Sequence, residues 1–166
     1  MENRIPTFEE LVIGAPEEIK DILLKSAETK QSPAWHPEGN VLTHIKIVYD
    51  RAKKTGDLDL AIAAFFHDLG KEKVTVPSKN TKGAWSAHGH ELVSLRLVEK
   101  YDYWIKELGG DYPKIHAIVK HHMRIKEYDK MRSKKQKELR ENPYYEDLCK
   151  FTDCDNMLTL TESELR

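Results

Sequence analysis

The 166-residue chain predicts an all-α fold, a single helical bundle. Three observations carry that expectation. Apolar residues recur at helical spacing in most segments of the chain. Glycine and proline fall mostly between the periodic segments. No run alternates apolar and polar residues well enough to be a strand. One domain over residues 1–166 is expected, with N-terminal helices in 1–35 and the functional core in 36–160, long enough to bury a core without disulfides.

The elements follow in order. Thr7 and Glu10 have the spacing of a capping box for a short first helix, which Gly14-Ala15-Pro16 ends. Pro16 opens a second helix to about Glu28, with Ile19, Ile22 and Leu23 inward. Gln31 to Gly39 is a loop holding two prolines. Asn40 caps a third helix to about Lys54, with Val41, Ile45, Val48 and Ala52 on one stripe. Gly56 stops it, and Asp57 caps a helix that is apolar nearly all round to Leu69. Lys71 to Gly83 is a polar loop. A long helix is expected from Ser86 to Leu108, stopped by Gly109-Gly110, and another from Pro113 with Ile115, Ile118, Val119 and His122 on one face. The charged stretch from Arg124 to Asn142 precedes a last helix, from Pro143 to about Leu160.

Composition narrows the function. With 33% charged residues but a net charge of -1, no global field draws the protein to nucleic acid or an acidic membrane, so such attraction must be local. No run approaches the ~20 apolar residues of a transmembrane helix, and Met-Glu-Asn-Arg-Ile-Pro-Thr lacks a signal-peptide pattern. A cytoplasmic location, no membrane partner and reduced Cys149 and Cys154 are therefore expected.

The most informative residues are His67 and Asp68, set in Ala-Ala-Phe-Phe-His-Asp-Leu-Gly-Lys. An imidazole and a carboxylate taken out of water need a compensating partner, and a divalent cation suits both. A core His–Asp hydrogen bond is the plainer alternative. Further ligands tip the balance: His44 lies on the inward stripe of its helix, and Asp153 falls on the last helix between Cys149 and Met157. Such a set points to a metal centre with positions open for substrate.

These residues also carry a resemblance. His44, His67-Asp68 and a late Asp resemble the pattern of the HD phosphohydrolase superfamily. The phrases His-Pro-Glu-Gly-Asn-Val-Leu-Thr-His (36–44), Phe-Phe-His-Asp-Leu-Gly-Lys (65–71) and Gly-His-Glu-Leu-Val-Ser-Leu-Arg-Leu-Val (89–98) are similar to the HD domain of bacterial tRNA nucleotidyltransferases, here in a free-standing form. The resemblance implies an all-helical fold and metal-dependent hydrolysis of phosphate esters in nucleotides or RNA ends. It implies His44, His67, Asp68 and Asp153 as metal ligands. Phe-Thr-Asp-Cys-Asp offers both Asp153 and Asp155, and Asp155 shares a stripe with Leu148, Phe151 and Leu158; Asp153 is preferred because the family's ligand follows a small residue, as Asp153 follows Thr152. His90 with His121 and His122 match the ligands of a second metal, bridged to the first by Asp68.

The divalent ion could be Mn, Fe, Co, Ni, Zn or Mg. Asp68 and Lys71 are the expected catalytic pair, and Lys71 and Arg124 the expected phosphate contacts. The substrate class is a nucleotide or an RNA-end phosphate, with 2',3'-cyclic phosphodiesterase and phosphatase activity as the sharpest version. A 5'-nucleotidase or nucleoside triphosphate hydrolase is the second reading, and a non-catalytic nucleotide or RNA sensor the third. The basic run from Lys120 to Arg140 could form a shelf for RNA, and Trp35, Trp85, Tyr101 and Tyr128 could stack a base.

Overall fold

A computed structural model describes residues 4–166. Its helices are α1 (Phe8–Ile13), α2 (Glu17–Ser26), α3 (Val41–Lys54), α4 (Leu58–His67), α5 (Lys71–Val74), α6 (His90–Lys100), α7 (Asp102–Glu107), α8 (Tyr112–His121), α9 (Ser133–Arg140), α10 (Tyr145–Asp155) and α11 (Glu162–Leu165). Two short 3-10 helices, Ile125–Lys130 and Met157–Thr159, flank α9 and α10. The sheet among the described residues is a two-residue antiparallel pair, β1 (Val76–Pro77) with β2 (Trp85–Ser86). The fold is all-α, as the periodicity predicts.

Caps set the helix starts. Thr7 and Glu10 close a capping box on α1, and Asn40 accepts from the Thr43 amide at the start of α3. Asp57 accepts from the Asp59 and Leu60 amides at the start of α4. From Leu60 to His67 every residue of α4 is buried, so this helix is the spine of the molecule. Helices α3, α6, α8 and α10 all pack against it. Phe8, Tyr49, Phe65, Phe66 and Trp104 form one aromatic group beside it, linked by edge-to-face contacts. Each such side chain, fully buried, stabilises the fold by roughly 1.5–3 kcal/mol.

Three segments differ from expectation. The helix expected over Ser86–Leu108 is two helices joined at Tyr101, whose φ of -107° and ψ of 31° leave the helical region. Tyr101 turns inward there and its hydroxyl donates to Glu18 at 2.7 Å, a long-range bond with no local sequence signature. The start of that helix moves to His90 because Gly89 adopts a left-handed φ of 80°. The loop expected over Lys71–Gly83 contains α5 and β1. The last helix stops at Asp155 rather than near Leu160, where Arg51 donates to the Cys154 and Asn156 carbonyls and pairs with Glu164 on α11.

Gly70 explains the glycine that follows His67-Asp68. A Cβ here would lie 2.2 Å from the His90 carbonyl oxygen and 2.9 Å from the Ser94 amide, so only glycine lets the end of α4 press against α6. Its amide donates to Ser94 Oγ at 2.9 Å. Gly70→Ala is expected to destabilise the protein by about 1–3 kcal/mol, read as a lower midpoint in thermal or urea unfolding. An unchanged midpoint would show that the close approach is not needed.

Candidate metal centre

Four elements converge at the C-terminal end of α4. His67 is its last residue and Asp68 caps it; α3 brings His44, α6 brings His90 as its first residue, His122 caps the end of α8, and Asp155 ends α10. All six side chains are buried.

They form two cages that share Asp68. In the first, His44 Nε2 lies 3.0 Å from Asp68 Oδ2 and 2.8 Å from Asp155 Oδ1, while His67 Nε2 lies 3.1 and 3.3 Å from the same oxygens. The two Nε2 atoms are 3.2 Å apart. In the second, His90 Nε2 and His122 Nε2 are 3.2 Å apart and lie 3.0 and 3.5 Å from Asp68 Oδ1.

The tautomers follow from the outer bonds. His67 Nδ1 donates to the Ala64 carbonyl at 2.6 Å, His90 Nδ1 to Ala87 at 2.9 Å, and His122 Nδ1 to Val119 at 2.6 Å. A carbonyl oxygen can only accept, so each Nδ1 carries its proton and each neutral ring turns the lone pair of Nε2 inward. His44 Nδ1 is held the same way by Glu38 at 2.6 Å. Neither oxygen of buried Asp155 receives a well-aligned hydrogen bond from a donor. With the rings neutral, Nε2 lone pairs and carboxylate oxygens face one another across each cage, an arrangement that calls for positive charge. The spacing, donor chemistry and outer-sphere bonds fit divalent cations, one in each cage.

The same electrostatics appear in the titration of the site. Burial pulls the His44 imidazole down, yet bonds to Asp155, Asp68 and Glu38 outweigh it and hold its pKa at about 10, so without a cation His44 carries a proton on Nε2, and a divalent cation binding there would displace it. Asp68 and Asp155 are held well below the usual carboxylate range despite burial, by His67 with Lys71 and by Lys126 with His67 respectively. Glu38, also pulled up by burial, is brought to about 2 by its bonds to His36 and His44. His122, facing no such pair of carboxylates, is lowered by burial to about 4.

The first cage corrects one expected ligand. Asp153 is exposed on α10, whereas Asp155 lies on the buried stripe of Leu148 and Phe151 and is the carboxylate placed to offer the fourth ligand atom. Two residues along a helix turn the side chain by about 200°, so one aspartate facing in puts the other out. In the second group, His90 and His122 meet Asp68, but His121 stays half-buried outside the cage because adjacent helical side chains diverge.

Lys71 Nζ lies 3.1 Å from Asp68 Oδ2 and donates to Gln31 Oε1 at 2.9 Å. Arg124, expected as a phosphate contact, lies off the cleft lining and reaches toward Glu138 on the exposed surface, 4.0 Å away. Lys126, two residues on, takes the inward place, 2.6 Å from Asp155 Oδ2. Sequence reasoning missed Glu38 and Lys126. Glu38 stood in plain view in His-Pro-Glu-Gly-Asn; Lys126 was hidden in a charged stretch where spacing does not distinguish one cation from the next.

A cleft of about 730 Å³ opens over the cages. His90 and Asp155 form part of its floor, Lys71 and Lys126 its flanks, and Trp35, Trp85, Met123 and Leu158 part of its wall. Of the basic run, Lys126 and Lys130 border it; Lys134, Lys135 and Lys137 lie on the exposed surface. Tyr101 is buried away from it, and Tyr128 packs on Tyr145. Among the described residues no helix is long and apolar enough to cross a membrane.

Comparison with known families gives one match: a model described as HD domain covers residues 40–159, which include all six cage residues. Comparison with curated proteins and with solved structures returns no significant match.

Proposed function

The chain belongs to the HD-domain family of metal-dependent phosphohydrolases, and on that footing we propose that it hydrolyses a phosphate ester of a nucleotide or an RNA end. The observation that carries this reading is the meeting of the two cages at Asp68 beneath a lysine-flanked cleft. Divalent cations held by His44, His67, Asp68 and Asp155 and by Asp68, His90 and His122 would lower the pKa of bound water and polarise a phosphoryl oxygen.

The residues of the chain do the rest. Glu38 and the carbonyls of Ala64, Ala87 and Val119 fix the four imidazoles so that Nε2 faces the cages. Asp68 offers one oxygen to each cage and ties the two together. Lys71, steadied by Gln31, offers positive charge to a phosphate entering the cleft. The nucleotide part of the reading draws on the wall of the cleft, where Trp35 and Leu158 stand 66% and 62% exposed, an apolar edge on which a base can lie.

Within this class, the likeness of the His-Pro-Glu-Gly-Asn and His-Asp-Leu-Gly-Lys phrases to the tRNA nucleotidyltransferase HD domain favours 2',3'-cyclic phosphate ends, opened and then removed. The test is a screen of 2',3'-cyclic nucleotides, nucleoside monophosphates and triphosphates with Mn, Fe, Co, Ni, Zn and Mg in turn. Metal-dependent turnover of a nucleotide phosphate is expected. Stoichiometric metal with no hydrolysis of any ester would overturn the hydrolase reading in favour of a sensor.

A further inference from the structure

Two lysines grip the two carboxylates of the first cage, and they are held differently. Lys71 is anchored a second time by Gln31 and is 11% exposed. Lys126 is 36% exposed, with Asp155 as its ion-pair partner and Met123 Sδ at 3.9 Å as its other polar approach. It stands on the 3-10 helix Ile125–Lys130, which follows α8, is pinned by buried Ile125 and packs against α10. Its side chain borders the cleft beside Asp155.

Asp155 therefore faces two ways. Oδ1 lies against the imidazoles of His44 and His67, and Oδ2 lies against the ammonium of Lys126. A divalent cation among the imidazoles and an ammonium on the far oxygen are like charges sharing one carboxylate. Each weakens the hold of the other, and an anion that reaches both removes the conflict.

We propose that Lys126 is a phosphate-binding residue of this site, swinging from Asp155 toward the cleft to meet a phosphate bound over the first cage. With Lys71 it brackets the phosphate from two sides. The charge favours a dianion: in the first cage the two carboxylates cancel one divalent cation, so the two ammonium groups, and any cation in the second cage, remain to be matched. The proposal rests on the site receiving phosphate, as the hydrolase reading requires, but not on turnover.

Calorimetry on Lys126→Met and Lys126→Arg proteins tests it, with Mn²⁺ titrated into metal-free protein and inorganic phosphate into Mn²⁺-loaded protein. A lost charge-assisted bond predicts phosphate affinity about tenfold or more weaker in Lys126→Met. Loss of the competing ammonium predicts Mn²⁺ binding that is tighter, not weaker. Lys126→Arg is expected to restore phosphate affinity. Unchanged phosphate affinity in Lys126→Met would overturn the proposal, and a parallel fall in Mn²⁺ and phosphate affinity would assign Lys126 a structural role instead. Phosphate binding as expected in a protein that hydrolyses no ester would sink the hydrolase reading and leave this one standing.

Discussion

Asp68→Ala is expected to abolish metal binding in both cages and to lower hydrolysis at least about a thousandfold, since metal stabilisation of the transition state is worth several kcal/mol. Among the described residues Asp68 alone offers a ligand atom to both cages: its Oδ2 faces His44 and His67, and its Oδ1 faces His90 and His122. Truncation also removes the negative charge that lets Lys71 sit close to the imidazoles. Metal content by elemental analysis and initial rates on the substrate found by screening check this together. A variant that kept one metal per chain and a tenth of the activity would show that the two cages work apart.

The second large effect separates two aspartates that lie two residues apart. Asp155→Asn is expected to cost at least about a hundredfold in metal affinity or rate, because it removes the charge of a buried ligand facing His44 and His67. Asp153→Asn, on the exposed side of the same helix, is expected to change neither beyond about twofold, the ordinary range of a surface substitution. Metal titration and rate measurements on both variants decide it. Equal losses in the two would contradict the placement of Asp155 in the cage.

These two aspartates also show how far the sequence could be read. The buried stripe through Leu148 and Phe151 already pointed at Asp155, and a likeness of local wording outweighed it; helical periodicity, a physical constraint on which way a side chain faces, was the better guide. His44, His67 and Asp68 were legible for the same reason: apolar periodicity around them left polar groups in a buried stripe. His122 was legible from its face with Ile115, Ile118 and Val119, whereas its neighbour His121, expected beside it as a ligand, lies outside the cage by the same rule of helical spacing.

Lys126 and the break at Tyr101 were not legible. Each depends on a partner far along the chain, Asp155 in one case and Glu18 in the other, and local pattern carries no record of such pairs. The early stop of α10 has the same origin, since Arg51 reaches it from more than a hundred residues away. Caps, by contrast, are local chemistry, and Thr7, Asn40 and Asp57 sit where their side chains announced them.

The most direct test of the metal centre is anomalous diffraction from crystals grown with Mn²⁺. Density is expected within coordination distance of His44 Nε2, His67 Nε2, Asp68 Oδ2 and Asp155 Oδ1. Loaded crystals with a manganese peak elsewhere, and none among those four atoms, would contradict it.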